Sequence, residues 1–253
     1  MKKLLTTVAC AACFASVASA DFARVEMGAG MWSQTPNGIL SYTDGSATGK
    51  YISNETNDKS AYVWMLIKHP IPILPNLRLE YTALNDTGKV KGSFEDFEVD
   101  TWTTASLELK QFDIIPYYNI VDNTFWTTVD VGLDFKVQES TYTAEAVKIG
   151  GITGLNYTDK ATTVIPLAYL RARVEIPATN IGLESDIKYI SYDGSTVYDA
   201  RAKVDYTLDM FPVVQPAIEV GYRVQKFDVS SSDDKTKMDL EFAGVYAGMM
   251  LRF

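Results

Sequence analysis

Three sets of carboxylates have spacings that acid–base or metal chemistry could use: Asp130 with Asp134, Glu184 with Asp186, and Asp199 with Asp205. Converging carboxylates can share a proton or hold a divalent cation. Here each set is interleaved with cations. Lys136 follows the first, Lys188 follows the second, and Arg201 and Lys203 lie inside the third; Arg171, Arg173, Glu219 and Arg223 fall in similar surroundings elsewhere. An unpaired charge is costly to bury, so the expected role of these groups is structural ion pairing.

After residue 20 the chain has one histidine, His69, set in the proline-rich stretch "HPIPILP". A histidine placed in such a turn is expected to shape the turn rather than act as a catalytic base. The acidic stretches "GSFEDFEVD" and "SSSDD" lack the spaced ligands of a calcium loop. The glycines of "GAG" at 28–30 and "GG" at 150–151 lack the strand-to-helix context of a phosphate loop and read as inward or bulge positions in curved strands. We expect no catalytic residue, no metal and no cofactor.

The elements carrying these charges alternate with a period of two. In "TVYDARAKVDYTLDM", Tyr198, Ala200, Ala202, Val204 and Tyr206 share one face and Asp199, Arg201, Lys203 and Asp205 the other. The same division runs through "TTVDVGLDFKV", "LRLEYTA", "AYLRARVE" and "IEVGYRVQ". Alternation of this kind suits a β-sandwich or a transmembrane barrel, and the compartment decides between them.

The chain opens "MKKLLTTVACAACFASVASA", with two lysines, an apolar run and a small-residue cleavage site: a signal peptide over 1–20, removed after Ala20. Both cysteines, Cys10 and Cys13, leave with it, which excludes a disulfide scaffold or a thiol site. The net charge of −9 loses Lys2 and Lys3 and deepens to −11, which excludes nucleic-acid binding by a basic patch. No later apolar run is long enough for a spanning helix. Export, fifteen tyrosines and strands with one apolar and one mixed-charge face predict a transmembrane, antiparallel, up-and-down β-barrel over 21–253, a single domain in the outer membrane of a Gram-negative cell.

About ten strands are predicted, with eight or twelve as alternatives. They fall at 22–33, 59–68, 76–85, 99–118, 124–139, 162–175, 181–192, 195–210, 216–229 and 238–253, and an even number puts both termini in the periplasm. Short turns are expected at "HPIPILP", "NIVDN", "IPATN" and "FPVVQP". Long loops are expected at 34–58, 86–98 and 140–161, and "DG" at 193–194 signals a hairpin. Slipping the 198–210 strand by one residue would turn its charges toward lipid, at roughly 2–4 kcal/mol for each Arg or Lys at the midplane.

The stretches "IIPYYNIVDNTFWTTVDVGLDFKV", "VIPLAYLRARVEIP", "YISYDGSTVYDARAKVDYTLD", "EVGYRVQKFDV" and "FAGVYAGMMLRF" together resemble a family of uncharacterised bacterial outer-membrane β-barrel proteins. The resemblance implies location and fold, with no activity to carry over. Two functions are compatible with such a barrel. One is a small pore for ions or solutes, with selectivity set by lumen-lining Arg171, Arg173, Asp199, Arg201, Lys203, Asp205, Glu219, Arg223, Asp130 and Asp134. The other is a closed, salt-bridged barrel with a structural or surface-interaction role, whose loops meet lipopolysaccharide or other cells. At the end of the chain Val245, Ala247, Met249, Leu251 and Phe253 form one apolar row finishing on an aromatic residue. That row resembles the sorting signal read by the barrel assembly machinery, the second expected partner beside membrane lipid.

Overall fold

The computed structural model describes residues 23–253 apart from 72, 209, 211–213 and 232–234. The predicted signal peptide therefore lies outside the described residues, as do parts of the "HPIPILP", "FPVVQP" and "SSSDD" segments.

Eleven strands form one antiparallel sheet: β1 (Arg24–Asp44), β2 (Ala47–Ser53), β3 (Asp58–Lys68), β4 (Asn76–Ser93), β5 (Glu98–Thr124), β6 (Thr127–Ile149), β7 (Ile152–Glu175), β8 (Ile181–Tyr192), β9 (Ser195–Thr207), β10 (Gln215–Ser230) and β11 (Thr236–Arg252). The sheet closes where β11 pairs with β1. β2 and β3 run in line along the same flank of β1 and both pair with β4, so they act as one stave interrupted at residues 54–57. The ring thus has ten places, in agreement with the predicted number. Closure pairs every stave on both sides through the middle of the belt, the condition for strands in a medium that cannot hydrogen-bond.

Outward side chains form an apolar belt. Met31, Val63, Tyr81, Phe112, Leu133, Leu170, Ile187, Val204, Val220 and Met249 are all exposed, one from each stave. Toward the loop end the outward face of every stave turns polar: at Ser33, Lys59, Asn85, Lys110, Glu139, Thr162, Ser191, Thr196, Lys226 and Glu241. On β6 the belt runs from Val129 to Val137, a length that fits the roughly 25 Å apolar band of barrels of this type.

Three expected loops are strands instead. Residues 34–44, 86–93 and 140–149 continue β1, β4 and β6 beyond the belt, and β2, the start of β5 and the start of β7 return from them. In this raised wall the two faces exchange character. On β4, Arg78, Glu80 and Thr82 point inward at belt level, but Leu84 and Val90 do so above it, while Lys89 and Lys91 point out. A wall with water outside needs an apolar inside, the reverse of a wall with lipid outside.

Further differences are local. The expected "NIVDN" turn is part of β5, and the chain reverses at Phe125–Trp126, both exposed and both at positive φ. Gly150 and Gly151 are not inward or bulge residues: with φ of +57° and +87° they form the tip of the β6–β7 hairpin, where a two-residue turn needs positive φ. Asp193–Gly194 turns as its sequence predicts. Strand β9 ends at Thr207 rather than 210. Gly28 and Gly30 do face inward; a Cβ there would run into the Trp64 indole and the Tyr62 hydroxyl, so the glycines let these rings lie across β1.

Candidate functional site

The inward faces of the belt converge on a dense ionic core. All ten lumen candidates are buried there. Arg223 donates from Nε and Nη2 to the two oxygens of Asp199 at 2.9 and 2.6 Å. Arg173 holds Asp205 in the same two-pronged way at 2.6 and 3.1 Å. Arg171 bonds Asp130 at 2.6 Å and Glu184 at 2.7 Å, while Lys203 bonds Glu219 at 2.9 Å. Asp134 stands apart: neither carboxylate oxygen accepts a hydrogen bond, and its nearest cation is Lys188 at 3.9 Å.

Residues outside the ten lumen candidates complete the network. Glu80 accepts from Arg78 at 2.5 Å, Lys188 at 2.7 Å and Arg201 at 2.5 Å. Lys188 also contacts Asp113, whose two oxygens are each 2.8 Å from Lys136. At the end of the barrel that carries the termini, Arg252 bonds Asp205 at 2.6 Å and lies 3.3 Å from Glu26. Arg78 and Glu80 alternate with Leu77, Leu79 and Tyr81 just as the chosen residues alternate with their neighbours, so the same pattern would have found them. Glu26 lies in a glycine-rich stretch with weak alternation and had no such signal.

Two tryptophans work within this core. The Trp64 ring carries Lys203 at 4.6 Å and Arg78 at 5.1 Å, and Arg223 lies 4.7 Å above Trp32. Cations desolvated against aromatic faces gain part of what they lose in hydration. Trp64 Nε1 and the Tyr62 hydroxyl both donate to Glu219, at 3.1 and 2.8 Å.

Some bonds cross the whole lumen. Arg201 on β9 reaches Glu80 on β4, five places away in the ring of ten. Gln225 on β10 reaches Gln111 on β5, again diametrically opposed, at 2.9 Å. A space lined by Trp32, Tyr62, Trp64, Arg201, Glu219 and Tyr246 amounts to about 10 Å³, the room of one water. A second, by Glu26, Asn119 and Arg171 near the terminal end, amounts to about 30 Å³.

Toward the loop end the ionic core gives way to apolar layers. Leu84, Leu109, Phe227, Leu240 and Phe242 are buried there. Above them Tyr51, Val90, Phe97, Val99 and Val147 form a second cluster. The "GSFEDFEVD" segment, most of it within the loop expected at 86–98, supplies its cap. Phe97 stacks on Phe94 at 4.7 Å and packs against Tyr157 at 4.6 Å between centroids. Asp86 is buried just beneath and accepts from Tyr51 and Ser53, each at 2.8 Å.

His69 is held within the β3–β4 turn. Its Nδ1 accepts from the Ile71 amide at 3.1 Å and its Nε2 lies 2.9 Å from the Pro75 carbonyl oxygen. That arrangement uses both ring nitrogens to shape the turn. Among the described residues no cluster of three or more His, Cys, Asp or Glu side chains has metal-binding geometry.

A closed antiparallel ring with an apolar exterior and a charged interior defines the class: a barrel of the outer-membrane type. A solved structure shares that architecture. The chain is similar to the crystal structure of the outer membrane protease OmpT from Escherichia coli, with a TM-score of 0.54 and 11% identity over 91% of this chain and 97% of that one. Weaker likenesses are the translocator domain of the autotransporter NalP from Neisseria meningitidis (TM-score 0.41, 10% identity, 100% and 96% covered) and a Pseudomonas aeruginosa FadL homologue (0.31, 8%, 92% and 90%). No family model and no curated protein sequence matches the chain. At these identities the likeness to OmpT is one of fold.

Proposed function

We propose that this chain is an integral outer-membrane protein with a closed, non-catalytic barrel, both termini on the periplasmic side, and that it acts through the surface it raises above the membrane. Of the two functions the sequence suggested, this favours the salt-bridged scaffold over the pore. The observation that carries it is the pair of bonds spanning the lumen, Glu80 to Arg201 and Gln111 to Gln225, each joining opposite walls. Selectivity residues need a path to line, and here eight of the ten candidates bond to one another, while Arg201 bonds Asp186 and Glu80.

The raised wall is the surface so offered. Within it β7 is open on one side: its pairing with β8 covers only Ala168–Glu175, leaving residues 152–167 bonded to β6 alone. Pro166 lies where the ladder stops and has no N–H to extend it. An unpaired edge of this length is a template for an added strand. It overlooks a groove of about 380 Å³ lined by Ile165, Ile190, Tyr192, Val197 and Val229.

The test is conductance. Refolded protein in planar bilayers should give no discrete steps across a range of voltages and lipid mixtures. Stepwise currents from pure protein would overturn the closed-barrel proposal and restore the pore.

A further inference from the structure

On the outer face of the raised wall, Lys50 of β2 stands directly opposite Lys91 of β4. Lys89 lies two residues away on the same face, opposite Ile52. On the far side of Lys50 the row continues through Ser41 of β1 to Lys237 of β11. All four lysines are exposed, and none has an ion-pair partner among the described residues. Like charges directly opposite in a ladder destabilise it. Most other outward cations near this level are paired: Lys110 with Glu108, Lys148 with Glu98, Lys226 with Asp239 and Lys235 with Asp44. A chain with a net charge of −9 has acids to spare, yet among the described residues none forms an ion pair with this row.

The row borders a groove of about 420 Å³ lined by Ser41, Thr43, Thr48, Lys50, Lys91 and Trp102. Trp102 is 46% exposed, and an indole at the edge of a membrane packs its ring on apolar or sugar faces while keeping its N–H wet. Height selects the occupant. On β4 the apolar belt ends at Ala83 and turns polar at Asn85; Lys89 follows about 13 Å further along the tilted strand, and Lys91, level with Lys50, about 20 Å. That is the layer of phosphorylated sugars directly above the acyl chains of the outer leaflet, continuous with the lipid-facing Leu79 and Tyr81 below.

We propose that Lys50, Lys89, Lys91 and Lys237, with Trp102, form a binding site for the phosphorylated headgroup of an outer-leaflet glycolipid. The phosphate sits between the opposed Lys50 and Lys91 and relieves their repulsion, and the indole flanks the sugar. This rests on the membrane placement proposed above and not on the closed lumen.

The test uses folded full-length protein in detergent, with native mass spectrometry counting bound lipid and a competition titration giving affinity. Bisphosphorylated lipid A should form a defined adduct, and dephosphorylated lipid A should bind far less. The triple variant K50Q/K89Q/K91Q should bind about a hundredfold more weakly, at about fivefold for each basic residue near an anionic surface. K50R/K89R/K91R should retain the adduct, and millimolar inorganic phosphate should not displace it. Equal binding by the triple variant, equal binding of the dephosphorylated lipid, or displacement by free phosphate would overturn the site. If the triple variant does not fold, as judged by heat-modifiable migration, the pair K50Q and K91Q taken singly must each weaken binding, and unchanged affinity in both overturns it. Failure of the membrane placement would look different: wild-type protein staying soluble without detergent.

Discussion

Arg201 on β9 donates from Nη2 to Glu80 on β4 at 2.5 Å, across the full width of the barrel and between residues 121 positions apart in sequence. Each partner is shared further, Arg201 with Asp186 and Glu80 with Arg78 and Lys188. The bond is thus the centre of a mesh, and its removal has consequences for both stability and permeability.

Replacing Arg201 with Met should leave Glu80 and Asp186 short of a cation at a buried site. Breaking one partner of a buried pair costs about 3–5 kcal/mol. Urea unfolding in lipid should show a loss of that order for R201M, and a smaller one for the double variant E80Q/R201M, which removes both ends of the bond. Equal or greater loss in the double variant would show that the two groups do not act as a pair.

Truncating the spanning side chains should open the lumen. The variant E80A/K188A/R201A removes three long side chains from one level, and should conduct in planar bilayers where the wild type is silent. A triple variant that inserts normally and remains silent would mean that other layers, above all the Phe94–Phe97 cap, suffice to seal the barrel.

The cap itself should be separable from the membrane barrel. Phe97 packs between Phe94, Tyr142 and Tyr157, and truncating a buried aromatic costs about 3–5 kcal/mol. F97A should therefore loosen the raised wall, seen as protease cleavage within 94–97, while heat-modifiable migration of the barrel persists. Loss of insertion would show that the wall and the belt fold as one unit.

Hydrogen exchange should report the open edge of β7. Alternate amides between residues 152 and 165 point away from β6 and should exchange as fast as loop amides. Residues 168–175, paired on both sides, should be protected. Uniform protection along β7 would mean that this edge is already covered.

Phe253 bonds through its backbone to Val25, N to O at 2.9 Å, completing the closure of β11 on β1. Val245, Met249 and Leu251 before it are exposed on the outer face. F253S should lower the amount of folded barrel recovered from the outer membrane, measured by cell fractionation. Unchanged recovery would exclude an assembly role for the terminal aromatic.

The membrane-level strands were legible because one physical rule governs them. With lipid on one side and a packed lumen on the other, Tyr198 through Tyr206 and Asp199 through Asp205 must alternate, and a slip of one residue is prohibitively costly. The raised wall was not legible, because the rule inverts at its base. On β4 two apolar residues meet at Ala83 and Leu84, the alternation changes phase, and the stretch beyond reads as a polar loop when it is a strand with lysines outward. The β5–β6 turn was missed for a different reason: Phe125 and Trp126 are poor turn formers by backbone preference.

By itself, then, the sequence determined the faces of the strands, their approximate number and the kind of residue that fills the interior, since these follow from local periodicity and the cost of exposing charge to lipid. Only the tertiary structure decided which charges meet. Glu80 finds Arg201, and Lys50 faces Lys91 with no ion-pair partner among the described residues, because ring closure and register bring together strands that no local pattern relates. Whether the lumen is open, and where like charges meet on the outer wall, are properties of that assembly and of no single segment.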